Sequence, residues 1–133
     1  MELLVQSYMT RNPVSIAPDD TLSTAKARME ECGIRHLPVL EGTQVVGVIS
    51  SRDLFLLDAL KERLLYLIKV RDLMAKEPYT VGPQTPLSEA ATHMAERRIG
   101  SAVVVEDTRV LGVFTATDAL RALADLSKAA ARG

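Results

Sequence analysis

The sequence holds a single cysteine, Cys32, among 133 residues. One thiol excludes an internal disulfide and suits a reducing, cytoplasmic setting. The net charge is −1, and no block of lysine and arginine stands out. Nonspecific nucleic-acid binding needs such clusters to meet phosphates, so no nucleic-acid partner is expected. No run of about 18 apolar residues occurs, and no membrane span is expected. The stretch Met1 to Thr10 lacks the cationic start and long apolar core of a signal peptide. Soft metal ligands are limited to Cys32, His36 and His93, with no zinc-like spacing. There is no nucleophile elbow and no glycine-rich phosphate loop with lysine. Neither histidine has an assignable acid or nucleophile partner. The expectation is therefore a non-enzyme with no required cofactor and no metal.

What is present is a repeat. Gly47-Val48-Ile49-Ser50-Ser51-Arg52-Asp53 returns as Gly112-Val113-Phe114-Thr115-Ala116-Thr117-Asp118, 65 residues later. The same offset pairs Val5 with Val70, Met9 with Met74, Pro13 with Pro78, Leu22 with Leu87 and Met29 with Met94. From Val5 to Asp53 it gives 17 identities in 49 positions without a gap, so the chain is one unit used twice. The repeats divide as 1–66 and 67–133. Each half is near the lower limit for a stable core, so the halves are expected to fold together. Apolar residues make up 47% and charged residues 25%, enough of each for an ordinary globular domain.

Local signals give each repeat the order strand, helix, strand, strand, helix, an α/β (α+β) pattern. Glu2 to Met9 reads as a short helical turn, Thr10 to Pro13 as a turn, and Val14 to Ile16 as a short strand. Asp20 or Thr21 is the expected cap of a helix from Leu22 to Cys32, ended by Gly33. Leu22, Ala25, Met29 and Cys32 fall on one stripe, which makes Cys32 a small buried hydrophobe. Strands are expected over Arg35–Leu40 and Val45–Ser50. A helix then begins at Ser50 or Ser51 and reaches Leu65 or further. In the second copy, Thr80-Val81 is the short strand. Thr85 caps a helix from Leu87 to Arg97, with Pro86 at its first position. Strands follow at Ser101–Val105 and Val110–Thr115, then a closing helix from Thr117 to about Ala130.

The motifs Met9-Thr10-Arg11-Asn12-Pro13-Val14, Ile34-Arg35-His36-Leu37-Pro38-Val39 and the Gly-to-Asp run each recur in the second copy. Together they resemble a tandem pair of cystathionine beta-synthase (CBS) domains, from about Val5 to Leu123. The resemblance implies two β-α-β-β-α repeats packed as a pseudo-two-fold pair, with clefts that bind adenosine-containing ligands. It implies AMP, ADP or ATP before S-adenosylmethionine or NAD. It also implies a regulatory role toward an unidentified protein, and a homodimer.

By the same resemblance, Asp53 and Asp118 would bind ribose. A carboxylate has two acceptor oxygens, which suit paired hydroxyls. Their simpler role is a favourable charge at a helix start, which needs no ligand. Ser50, Thr115 and Thr117 offer hydroxyls at a strand-to-helix turn, where backbone N–H groups can face a phosphate. Arg35 matches a family position that often carries a phosphate-binding base, and His36 follows it. The second copy has Gly100 and Ser101 there, so phosphate binding is expected to rest mainly on Arg35. Arg52 either adds phosphate affinity or covers the cleft. Thr10, Pro13 and Ser15 are expected near Asp118; Ala75, Pro78 and Thr80 near Asp53; Ser101 lines a cleft. The competing reading is a structural dimerisation module without nucleotide affinity. It draws on the uncharged Gly100-Ser101 pair and the unmatched Arg52. Leucines in excess of one stripe, among them Leu54, Leu57, Leu60, Leu64 and Leu67, form either the inter-repeat core or an apolar face toward another chain.

Overall fold

The computed structural model describes residues 2–55 and 62–132. In chain order the elements are β1 (Thr10–Arg11), α1 (Leu22–Cys32), β2 (His36–Glu41), β3 (Gln44–Ser50), α2 (Ser51–Phe55), α3 (Val70–Leu73), β4 (Ala75–Lys76), β5 (Thr80–Val81), α4 (Leu87–Arg97), β6 (Ser101–Glu106), β7 (Arg109–Thr115) and α5 (Ala116–Arg132). Short 3₁₀ helices cover Val5–Ser7 and Glu62–Tyr66. The architecture is mixed α+β with two separate sheets, as the alternation of patterns predicts. Of the leucines expected in the helix after β3, Leu57 and Leu60 lie outside the described residues.

The chain packs as two compact units that differ from the sequence repeats. One comprises residues 13–78; the other joins residues 1–12 to 79–133. In each, the opening segment of one repeat lies against the body of the other.

In the 13–78 unit, Thr21 Oγ1 accepts a hydrogen bond from the Thr24 N–H and caps α1. Gly33 ends the helix in the left-handed region at φ 63°, where a side chain would be strained. Leu22, Ala25 and Met29 face inward as the spacing predicts. Cys32 does not: it is exposed in the last turn. The second repeat has Arg97 at the equivalent place, also exposed, so this point of the helix is past the buried stripe. Strands β2 and β3 form an antiparallel hairpin, and β4 extends it through Gly47–Lys76 and Val48–Ala75 pairs. The core gathers Ile16, Leu22, Leu37, Val39, Ile49 and Val70. Burying each such aliphatic side chain contributes about 1.5–3 kcal/mol.

The other unit repeats the plan around Val5, Ala90, Met94, Ala102, Val104 and Phe114. Its sheet runs β1-β7-β6-β5, with β5 parallel to β6. The docking of the opening segments is the same in both. Val70 N–H donates to Asp20 O and Leu22 N–H to Ile68 O; Val5 N–H donates to Thr85 O and Leu87 N–H to Leu3 O. Each pair is the other shifted by 65 residues.

Three local expectations are corrected. Thr10-Arg11 is a strand, not a turn, because β7 offers it an edge; the reversal falls on Asn12, at φ 48°. Val14–Ile16 forms only a parallel bridge, Ile16 to Val39, where the second repeat has the two-residue strand β5. Thr85 does not cap α4: its Oγ1 accepts from Gly82 N–H at 3.0 Å, and Pro86 occupies the capping position. The left-handed positions recur even without glycine. Arg98 (φ 56°) matches Gly33, and Asp107 (φ 57°) matches Gly42.

Candidate functional site

The glycine of each repeated motif is required by close approach. A Cβ on Gly112 would lie 2.5 Å from the Thr10 carbonyl oxygen and 2.9 Å from Met9 Sδ. A Cβ on Gly47 would lie 2.8 Å from the Ala75 oxygen and 2.6 Å from Met74 Sδ. Only a bare backbone lets β1 and β4 pass there.

Directly after the motif's hydrophobic run stands the hydroxyl residue, and it and the aspartate three residues on cap each other. Asp53 Oδ2 accepts from Ser50 N–H at 2.9 Å and from Ser50 Oγ at 3.0 Å, while Asp53 N–H donates to Ser50 Oγ. Asp118 Oδ2 accepts from Thr115 N–H at 2.9 Å and from Thr115 Oγ1 at 3.2 Å, with the return bond from Asp118 N–H. These are capping boxes. The helix-start role of both aspartates is thus realised, and each carboxylate is held in one orientation.

The two motifs then differ. In the 13–78 unit, His36 pairs with Ser50 across β2 and β3, and Ser51 N–H donates to Arg35 O at 2.8 Å. Arg35, His36, Ser50, Arg52 and Asp53 therefore collect at one end of the hairpin. Burial of the imidazole lowers the His36 pKa from 6.5; Asp53 opposes this, and the charges of Arg35 and Arg52 add to it. Neutral imidazole is favoured there. Pro13, Ser15 and Pro78 belong to this unit. The Ser15 carbonyl accepts from Arg28 Nη1 at 2.8 Å, and Pro78 follows β4 beside β3.

In the other unit, Ser101 pairs with Thr115, and Ala116 N–H donates to Gly100 O. Thr10 pairs with Val113 on the strand that leads to Asp118. Thr117 is exposed in the first turn of α5, and Thr80 lies on β5 opposite Val103. Asp118 is buried, with 2% exposure. Its second oxygen, Oδ1, accepts from Arg121 Nη1 at 3.1 Å. Sequence reasoning passed over Arg121, although its spacing of three from Asp118 within a helix was a readable signal.

A family model described as "CBS domain" matches residues 5–59 and 70–125. The chain belongs to the CBS domain family. Its CBS repeats are 34% identical over 114 residues to an inosine-5'-monophosphate dehydrogenase of Korarchaeum cryptofilum, covering 85% of this chain but 23% of that protein. They are 31% identical over 131 residues to a CBS domain-containing protein of Dictyostelium discoideum, covering 90% of each. Among solved structures, CBSX2 in complex with AMP shares 28% identity at a TM-score of 0.80, over 93% of this chain and 98% of that one. The fold is that of CBS pairs, and the dehydrogenase is matched only over the CBS portion of its length.

Proposed function

We propose that this CBS pair is a regulatory module that binds an adenosine nucleotide of the AMP, ADP or ATP class. Asp53 and Asp118 are the proposed ribose acceptors. Arg35, with Arg52 and His36, is the proposed phosphate contact, and Ser50 and Thr115 hold the carboxylates in place. The observation that carries the reading is the cluster around His36: its imidazole feels the fixed Asp53 carboxylate and the charges of Arg35 and Arg52. The AMP complex of the CBSX2 relative supports the ligand class. No reaction is assigned to the chain. Occupancy conveys information to a partner only if two states of the protein bind the ligand differently.

The test is calorimetric titration and thermal shift with AMP, ADP, ATP, S-adenosylmethionine, NAD and 2′-deoxy-AMP. Ligand at about 100 times its Kd adds about 2.7 kcal/mol. A shift with AMP or ATP that fades with the deoxy form, and that disappears in Asp53→Ala plus Asp118→Ala, is the expected result. Retained binding in that folded double variant would refute the ribose assignment.

A second reading has its own observation. Leu120, Leu123 and Leu126 are exposed on α5 at a spacing of three, an apolar face that a dimerisation module would use. That reading expects a dimer by light scattering, dissociation in Leu123→Glu, and no stabilisation by any nucleotide.

A further inference from the structure

The Asp118 carboxylate has a single lone pair to spare. Oδ2 accepts twice from Thr115, and Oδ1 accepts once from the Arg121 guanidinium. The carboxylate is buried while the Arg121 side chain is 68% exposed, so the cation closes the carboxylate from the solvent side. Asp53 has the same cap on Oδ2, yet among the described residues no cation lies within ion-pair distance of it. The repeat explains the difference in the sequence. Sixty-five residues before Arg121 stands Leu56, which carries no charge.

Building on the nucleotide reading, we propose that Arg121 decides which motif takes the ligand. A ribose diol that approaches Asp118 Oδ1 meets the Arg121 guanidinium over a buried carboxylate and must compete with its charge-assisted hydrogen bond. Charged hydrogen bonds of this strength weaken a competitor by roughly ten- to a hundredfold. The chain therefore binds one nucleotide, at Asp53, over the concentration range in which that site fills. Arg121 is a specificity-determining residue acting through Asp118.

Stoichiometry measured by calorimetry with AMP and with ATP tests this. Wild type is expected to bind one ligand per chain. Arg121→Leu, which copies the first repeat, is expected to bind two, or to tighten a second weak site by tenfold or more. Arg121→Gln, which retains a donor and avoids a bare buried charge, should lie between them. Asp53→Ala should abolish binding in wild type but leave one site in the Arg121→Leu background. Two equal sites in wild type would overturn the inference and leave the nucleotide reading intact. Weaker binding in both Arg121 variants would overturn it too, by making Arg121 a ligand contact. No binding in any variant would sink the nucleotide reading and this inference with it.

Discussion

Gly112→Ala is the perturbation whose cost the geometry fixes most directly. The added Cβ would meet the Thr10 carbonyl oxygen at 2.5 Å, Met9 Sδ at 2.9 Å and Met9 Cγ at 3.1 Å. The methionine can turn away, but the oxygen belongs to the backbone of β1. A relaxed carbon–oxygen contact needs about 3.3 Å, so β1 must retreat by roughly 0.8 Å. That strains the Thr10–Val113 and Arg11–Gly112 pairing and the bond from Asn12 N–H to Leu111 O. Overpacking costs about 1–3 kcal/mol, and each weakened hydrogen bond up to about 1 kcal/mol more. A total near 3 kcal/mol lowers Tm by roughly 10 °C in a protein of this size. Gly82→Ala is the control, because its Cβ would meet only Thr85 Oγ1, at 3.9 Å. Thermal unfolding followed by circular dichroism separates the two. If Gly112→Ala melts within about 2 °C of wild type, or no lower than Gly82→Ala, the close-approach argument fails.

Removing one capping hydroxyl, Ser50→Ala or Thr115→Ala, should cost about 1 kcal/mol in urea unfolding, with Thr in place of Ser50 nearly neutral; equal loss in Ser50→Thr would deny the reciprocal cap. Arg98 adopts the left-handed conformation that Gly33 occupies in the first repeat. Arg98→Gly should therefore raise stability by about 0.5–1 kcal/mol, and Gly33→Ala should lower it by about 1 kcal/mol; the denaturation midpoint reports both signs. The His36 pKa is lowered in the folded state, so the unfolded chain binds the proton more readily. Stability is thus fully present above pH 6.5 and declines as pH falls from 6.5 toward the folded value. Denaturation midpoints between about pH 8 and about pH 5 should lose part of this acid slope in His36→Gln, and an unchanged slope would reject the assignment.

Much of this protein was legible in short stretches. The repeat offset, the helix Leu22–Cys32 with its glycine stop, and the paired strands follow from periodicity and capping, which act over a few residues. The Ser-x-x-Asp and Thr-x-x-Asp patterns likewise announce a helix start within four residues. What a stretch cannot carry is the identity of its distant partner. Thr10-Arg11 becomes a strand only because β7, about a hundred residues away, leaves an edge for it. The motif glycines are needed only because that strand, or β4, then crosses them. Cys32 continues the apolar spacing of α1, but the core ends before the helix does. The sequence made the two aspartates look alike, since their own neighbours are alike. Tertiary structure separated them, by gathering Arg35, His36 and Arg52 with one and burying the other beneath Arg121.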